Sequence, residues 1–234
     1  MKNAIILLLI ISFSFSAEKE QLFYTVYYNN INTGNAFLEL SHDDSNSNFS
    51  QIKFNLKSKK IIDFIYKLRE ETSLIVNKVD YSIKEIKKKS KQGRKKRQLV
   101  ALFNYKSKEG YINNKKIDIK KPIYDPISII YHLRNEKLFI NKKFKYNLIS
   151  KNKIKPIEMK VLGEETLVQN NKEYNCFILG PNNLDAKESK LNNIDDIKIW
   201  IDKDNTHYPP LIIEKKAKHG VIKMKLDGTQ IINE

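Results

Sequence analysis

Four polar side chains recur at every third position of the segment DPISIIYHLR. They are Asp125, Ser128, Tyr131 and Arg134. On a helix, steps of three rotate each residue by about −60°, so the set winds half way round the axis. The Ser–Asp pair also lacks the neighbouring base that a hydrolase centre needs. The segment therefore predicts a helix over about 125–137, with Asp125 as its N-cap and Pro126 at its first position.

Arg134 is the member of this set with the clearest binding potential. It shares a helix face with Ile127 and Ile130. Its guanidinium therefore either pairs with a carboxylate beneath the helix or lines a cavity that accepts an anionic group. Aromatic residues alternate along the predicted strands, where they form either a core or a concave surface for an acyl chain. The predicted ligand-binding residues are Arg134, Tyr131, Tyr24 and Trp200.

A second polar set lies in the segment WIDKDNTHYPP. Its members are Asp202, Asp204, Asn205 and His207. The alternating oxygens resemble a calcium loop, but the Gly at position six and the final Glu of an EF-hand are missing. A turn between two strands explains the same residues. Asp202, Asp204 and His207 remain a candidate polar site, which an enzyme acting on envelope polymers would use.

The remaining sequence offers little catalytic chemistry. The four histidines show no metal-ligand spacing, and we find no phosphate loop or nucleophile elbow. We therefore expect no metal and no other cofactor. Cys176 is the one cysteine, so no intramolecular disulfide can form, and its apolar neighbours predict a buried, inert thiol. These observations favour a non-enzymatic protein and leave the enzyme as the alternative.

A basic run, KEIKKKSKQGRKKR, spans residues 84–97 of a chain with a net charge of +16. Only four of the 43 basic residues are Arg, whereas nucleic-acid binders concentrate Arg, so we expect no nucleic-acid partner. Gly93 and the alternating flanks predict a hairpin with strands over 80–90 and 94–104. The run either contacts an anionic surface or forms a solvated face. The predicted contact residues are Lys91, Arg94, Lys95, Lys96 and Arg97.

Short alternating runs between polar turns continue along the chain, as is typical of all-β folds. After residue 58 we predict a turn to about Ile61 and then a long strand to about Val76. Ile61, Ile65 and Leu68 also suit a helix there. The predicted fold is mainly β, with a single antiparallel, strongly curved sheet or a partly open β-barrel. It carries one short helix at about 125–137.

The first residues have the layout of a secretory signal peptide. Lys2 precedes an apolar run from Ala4 to Phe15, and small residues follow it. We predict cleavage after Ser16, with Ala17 as the second choice, and a single β-rich domain over 17–234. The alternative is an uncleaved N-terminal anchor. Cleavage predicts a periplasmic protein that is not integral to the membrane.

Five segments, in order, resemble the exported bacterial family known as domain of unknown function 3108. They are FYTVYYNNINTGNAFLEL, KQGRKKRQLVALFNY, YDPISIIYHLR, VLGEETLVQNNKEYNCFIL and IKIWIDKDNTHYPPLIIEKKAKHGVIKMKL. The third contains the family's Asp-x-x-Ser-x-x-Tyr-x-x-Arg helix. The resemblance covers nearly the whole mature chain and implies an exported β-rich domain with one helix and no agreed activity. This sequence departs from the family in its Lys and Asn content and in a longer polar loop near Ala186.

These observations lead to three hypotheses for function. The first is a non-enzymatic periplasmic binding or envelope-maintenance protein, expected to be a monomer, whose ligand is a lipid, glycan or other amphiphilic or anionic envelope molecule. The second is a hydrolase-like enzyme acting on envelope polymers. The third is an interaction module that uses the basic hairpin.

Overall fold

The computed structural model describes residues 18–42, 47–150, 152–182, 197–205, 208–217 and 220–233. These residues form fifteen strands and two helices. The strands are β1 Glu18–Tyr28, β2 Ile31–His42, β3 Phe49–Ser58, β4 Leu68–Asn77, β5 Ile83–Gln92, β6 Lys95–Asn104, β7 Glu109–Ile112, β8 Lys115–Asp118, β9 Ile123–Tyr124, β10 Lys143–Ser150, β11 Lys153–Gln169, β12 Lys172–Pro181, β13 Ile197–Asp202, β14 Pro210–Ala217 and β15 Gly220–Asn233. The helices are α1 Lys60–Tyr66 and α2 Pro126–Arg134. The predicted signal peptide lies outside the described residues.

All fifteen strands belong to one sheet, in the order β8-β7-β6-β5-β4-β3-β2-β1-β15-β14-β13-β12-β11-β10-β9. Each wing is a meander of sequential neighbours, and β1 joins the wings by pairing antiparallel with β15. Only β9 and β10 pair in parallel among the described strands. Since β8 and β9 end the order without pairing to each other, the sheet is not closed. The predicted mainly β fold with one curved, partly open sheet is confirmed.

The asparagine content has a structural use in the hairpins. Asn29-Asn30, Asn113-Asn114 and Asn170-Asn171 each have positive φ at both residues, and each links two neighbouring strands. Tight two-residue hairpin turns need such backbone angles, which Asn tolerates better than most residues. Gly93 supplies the positive φ at the tip of the β5–β6 hairpin. The hairpin that was predicted around Gly93 is therefore present.

Helix α2 lies on the concave side of the sheet and is buried on nearly every face. Arg134 contacts Glu20 of β1, the Tyr131 ring stacks on Tyr81 between β4 and β5, and the His132 ring is 3.0 Å from the Tyr146 hydroxyl of β10. The sheet therefore curves around the helix from both wings. This explains why α2 has apolar residues all round instead of a single stripe.

Helix α1 was not predicted, because a turn followed by a long strand was expected in its place. Residues 60–66 are helical, and β4 begins only at Leu68. None of the α1 side chains is fully buried. The strand prediction was wrong here. It assumed that the apolar residues of this segment are buried in a core, but they face solvent. No helix in the described ranges is long and apolar enough to cross a membrane.

Candidate functional site

The C-terminal end of α2 holds a buried ion pair. The Arg134 guanidinium donates two hydrogen bonds to the Glu20 carboxylate, at 2.7 and 2.5 Å. The side chains are only 7% and 11% exposed. Burial by itself lowers the pKa of Arg134, but the hydrogen bonds and charge of Glu20 outweigh it and raise the pKa. Of the two roles predicted for Arg134, the structure shows the carboxylate partner.

Three tyrosines surround this pair. The Arg134 guanidinium lies 4.9 Å from the centre of the Tyr131 ring, and that ring stacks on Tyr81 at 5.7 Å. The Tyr24 hydroxyl donates to the Pro210 carbonyl oxygen at 3.0 Å. The Tyr131 hydroxyl is buried without a hydrogen-bond partner among the described residues. The structure thus brings Arg134, Tyr131 and Tyr24 close together, while ligand binding by them stays a prediction.

These residues stabilise the packing of α2 against the sheet. Burial raises the pKa of both Tyr24 and Tyr131, so these phenols remain neutral at physiological pH. Arg134 already has its carboxylate, and the group contains no nucleophile with an adjacent base. The arrangement fixes α2 to β1 and to Tyr81, and it joins β1 to β14. Whether it also meets a ligand stays a prediction.

The N-terminal end of α2 faces a second group of charges. Asp125 accepts a hydrogen bond from the Ile127 amide at 2.7 Å, and its own amide donates to the Ser128 hydroxyl at 3.0 Å. This is a capping box, and the predicted N-cap is confirmed. Burial raises the pKa of Asp125, although the positive charge of Lys88 partly offsets the effect.

Lys88 projects toward this cap from the concave face of β5. Its ammonium lies 2.6 Å from a Glu70 carboxylate oxygen of β4, and the two side chains are 27% and 20% exposed. Desolvation by itself lowers the pKa of Lys88, but the charges of Glu70 and Asp125 outweigh it and raise the pKa. The cross-strand neighbour of Lys88 is Thr72, whose buried hydroxyl has no partner in the described part of the chain.

The concave face changes character at this end of the sheet. Along β4, Val76, Leu74 and Thr72 are buried, and Glu70 is half-buried. The neighbouring strands repeat the change, from Ile86 to Lys88 in β5 and from Leu99 to Arg97 in β6. We call the residues Glu70, Thr72, Lys88 and Arg97 the concave mouth. It is where the apolar interior meets charged groups and solvent.

Trp200, Asp202 and Asp204 lie elsewhere. Trp200 alternates with the buried Ile199 and Ile201, so it faces away from the interior, and its indole donates to Glu165 at 2.8 Å. Trp200 therefore does not join Arg134, Tyr131 and Tyr24.

Asp202 is the last residue of β13, and Asp204 lies in the bend that follows. Asp202 is buried and accepts from the Asp204 amide at 3.1 Å, while Asp204 accepts from the Asn175 side chain at 2.8 Å. His207 lies outside the described residues. In the part of the chain that the structure covers, no cluster of His, Cys, Asp or Glu has the geometry of a metal site. Cys176 is buried next to this turn, and burial raises its pKa to about 12.

The basic hairpin stands beside α1. The Gly93 amide donates to the Lys67 carbonyl oxygen at 2.8 Å. Arg94, Lys95, Lys96 and Arg97 are exposed, and Lys91 is half-buried. Sequence reasoning named these five cations as contacts to an anionic surface. It did not single out Glu20, Lys88, Glu70 or the exposed side of α1 as parts of a candidate site. Glu20 and Glu70 carried no signal, because their partners Arg134 and Lys88 are 114 and 18 positions away.

Comparison with known proteins supports the fold of this chain and identifies its family. A crystal structure of a β-barrel-like protein of domain of unknown function DUF1849 from Brucella abortus is similar to this structure, with a TM-score of 0.55. The similarity covers 94% of this chain and 99% of that chain at 9% sequence identity, so it shows the fold alone. No curated protein matches the sequence. The sequence profile described as "Protein of unknown function (DUF3108)" matches residues 24–227, from β1 to β15, and this chain therefore belongs to the DUF3108 family.

Proposed function

We propose that the protein is a non-enzymatic binding protein of the bacterial cell envelope. Its ligand is an anionic amphiphile, such as a lipid, held at the concave mouth. The supporting observation is the inward-facing Lys88, with the unpartnered hydroxyl of Thr72 across the strand pair. A buried hydroxyl without a partner costs about 1–3 kcal/mol, so a ligand or water that supplies one is favoured there.

The surroundings of Lys88 suit a ligand with one charged and one apolar end. Lys88 and the exposed Arg97 provide positive charge, while Leu56 and Leu99 are cross-strand neighbours of Glu70 and Lys88 on the same face. A ligand anion would replace Glu70 as the partner of Lys88. The apolar part of the ligand would contact the leucines.

The proposal is tested with the exported protein purified from a bacterial periplasm. Native mass spectrometry should show a bound mass that is lost in Lys88→Met and kept in Lys89→Met, because Lys89 is the adjacent exposed lysine of β5. The anionic dye anilinonaphthalene sulfonate should bind the stripped wild type and Lys89→Met more tightly than Lys88→Met. Thr72→Val should weaken dye binding without loss of stability. Equal binding by both lysine variants would refute the proposal.

The location in the envelope is part of the proposal and rests on the N-terminal sequence. Cell fractionation should recover the protein in the periplasm with Ala17 as its first residue. Retention of the full N-terminal segment at the inner membrane would instead support the anchor alternative.

A further inference from the structure

Helix α1 carries its apolar residues on the wrong side for a core helix. Ile61, Phe64 and Ile65 have the i, i+3, i+4 spacing of one helix face, and they are 73%, 91% and 86% exposed. Tyr66, which follows them, is 52% exposed. Clustered exposed apolar residues of this kind mark interaction surfaces in soluble proteins.

The opposite side of α1 is held to the sheet by polar contacts, which fixes this orientation. Asp63 forms an ion pair with Arg69 of β4 and accepts from the Ser58 hydroxyl at 2.5 Å. The Lys59 amide donates to the Thr33 carbonyl oxygen at 2.8 Å. The helix is thus anchored through its carboxylate, and its aromatic and aliphatic groups point outward.

Positive charge surrounds the exposed side of α1. The hairpin tip touches the end of the helix, since a Cβ on Gly93 would lie 3.2 Å from the Tyr66 ring. Arg94, Lys95, Lys96 and Arg97 are exposed, and within the described residues none of them forms an ion pair. Lys59 and Lys60 are exposed at the start of the helix.

We propose that α1 and the hairpin tip (residues 59–66 and 91–97, the docking face) bind the surface of a bilayer that contains anionic lipids. Phe64 and Ile65 enter the boundary between headgroups and acyl chains, and the hairpin cations lie on the headgroups. Exposed apolar residues flanked by Lys and Arg are the combination that interfacial binding requires. Each cation near an anionic leaflet adds about 1 kcal/mol, which is about a fivefold gain in affinity.

The docking face is argued separately from the ligand at the concave mouth. Bilayer binding needs no bound ligand. The two sites share Arg97, whereas Lys88 and Thr72 belong to the concave mouth alone. Loss of dye binding in Lys88→Met with unchanged vesicle binding would therefore leave the two proposals distinguishable.

Vesicle sedimentation with the mature chain tests the docking face. The protein should bind phosphatidylcholine vesicles that contain phosphatidylglycerol, should bind pure phosphatidylcholine vesicles at least tenfold more weakly, and should lose affinity in high salt. Replacing the hairpin residues 94–97 by Gln, and separately Phe64→Ser with Ile65→Ser, should each reduce affinity about tenfold or more. These positions are exposed, so circular dichroism should show unchanged folding.

Two control variants match the changes in charge and apolar content. One replaces four exposed lysines at the opposite end of β6, away from the hairpin tip, by Gln, namely Lys106, Lys108, Lys120 and Lys121. The other combines Val79→Ser with Val168→Ser, which removes two exposed apolar side chains outside the docking face. Both controls should bind the anionic vesicles within about threefold of the wild type, because the bilayer is contacted through one end of the molecule only.

Insertion is tested with Phe64→Trp in a Trp200→Phe background. The fluorescence of the new indole should shift to the blue on anionic vesicles and be quenched by brominated lipid. Absence of binding to anionic vesicles, binding that the Phe64 and Ile65 changes leave intact, or an unshifted indole would each overturn the proposal. So would self-association of the wild type, seen by sedimentation velocity, that the same two changes abolish, because the face would then join two copies of the chain.

Discussion

The Arg134–Glu20 pair joins α2 to β1 through two hydrogen bonds between charged groups. Both side chains are buried, so removing one leaves the other charge without a partner in a poorly solvated place. Arg134→Met and Glu20→Met should each lower the free energy of unfolding by about 3–5 kcal/mol. Urea denaturation of the purified protein measures this.

The double variant separates the pair from its surroundings. With both charges replaced by Met, neither side chain is left as an isolated ion, so stability should recover to well above that of either single variant. Additive losses would mean that each side chain acts independently, for example through packing against Tyr131, and that the ion pair contributes little.

Tyr24 and Tyr131 make a matched comparison for buried hydroxyls. The Tyr24 hydroxyl donates to the Pro210 carbonyl oxygen, whereas the Tyr131 hydroxyl has no described partner. Tyr24→Phe should lose about 1 kcal/mol of unfolding free energy, and Tyr131→Phe should be neutral or stabilising. Thermal denaturation distinguishes them. An equal loss in both would show that the Tyr131 hydroxyl has a partner, such as ordered water.

At the scale of elements, α2 depends on its Asp125 cap, whose pKa is raised by burial. A carboxyl whose folded pKa lies above its unfolded value of about 4 binds its proton more tightly when folded. Its stabilising contribution is therefore present below pH 4 and is lost as the pH rises through the folded pKa. Asp125→Asn, which can still cap the helix, should remove this loss.

The measurement is the free energy of unfolding of both proteins at a series of pH values. The value for Asp125→Asn minus that for the wild type should increase as the pH rises above about 4. Asp63→Asn serves as a control of opposite sign, since the hydrogen bond from Arg69 holds the pKa of Asp63 below its usual range. Parallel curves for Asp125→Asn and the wild type would contradict the assignment.

Helices and strands were predictable where a short segment of the sequence carries a specific cap or turn signal. Asp125 and Pro126 predicted the start of α2, and Gly93 predicted the tip of the β5–β6 hairpin, because each signal is contained within a few residues. Helix α1 was missed because its short apolar pattern fits a helix and a strand equally well. The strand was preferred on the expectation that these residues are buried, but Ile61, Phe64 and Ile65 are exposed. A carboxylate partner for Arg134 was one of the two predicted roles, but Glu20 could not be identified as that partner, since the contact depends on how far the sheet curves.

At the scale of the whole molecule, the seam between β1 and β15 unites the two wings of the sheet. Glu18 pairs with Asn233 and Tyr28 with Ile222, so the two ends of the described chain are neighbours. Such long-range pairing has to form before either wing can enclose α2, because the helix contacts both wings. We therefore expect slow, cooperative folding of one domain.

A chain that ends at His219 tests this expectation, since it lacks β15 and leaves β1 and β14 as unpaired edges. It should show no cooperative urea transition and should aggregate through these edges. A chain that ends at Ile232 loses only the last pair of the seam and should unfold like the wild type. If the shorter chain kept a sharp transition and its hydrogen-exchange protection in β3–β6, the wings would fold independently. The single-domain expectation would then be wrong, because the core around α2 would not need both wings.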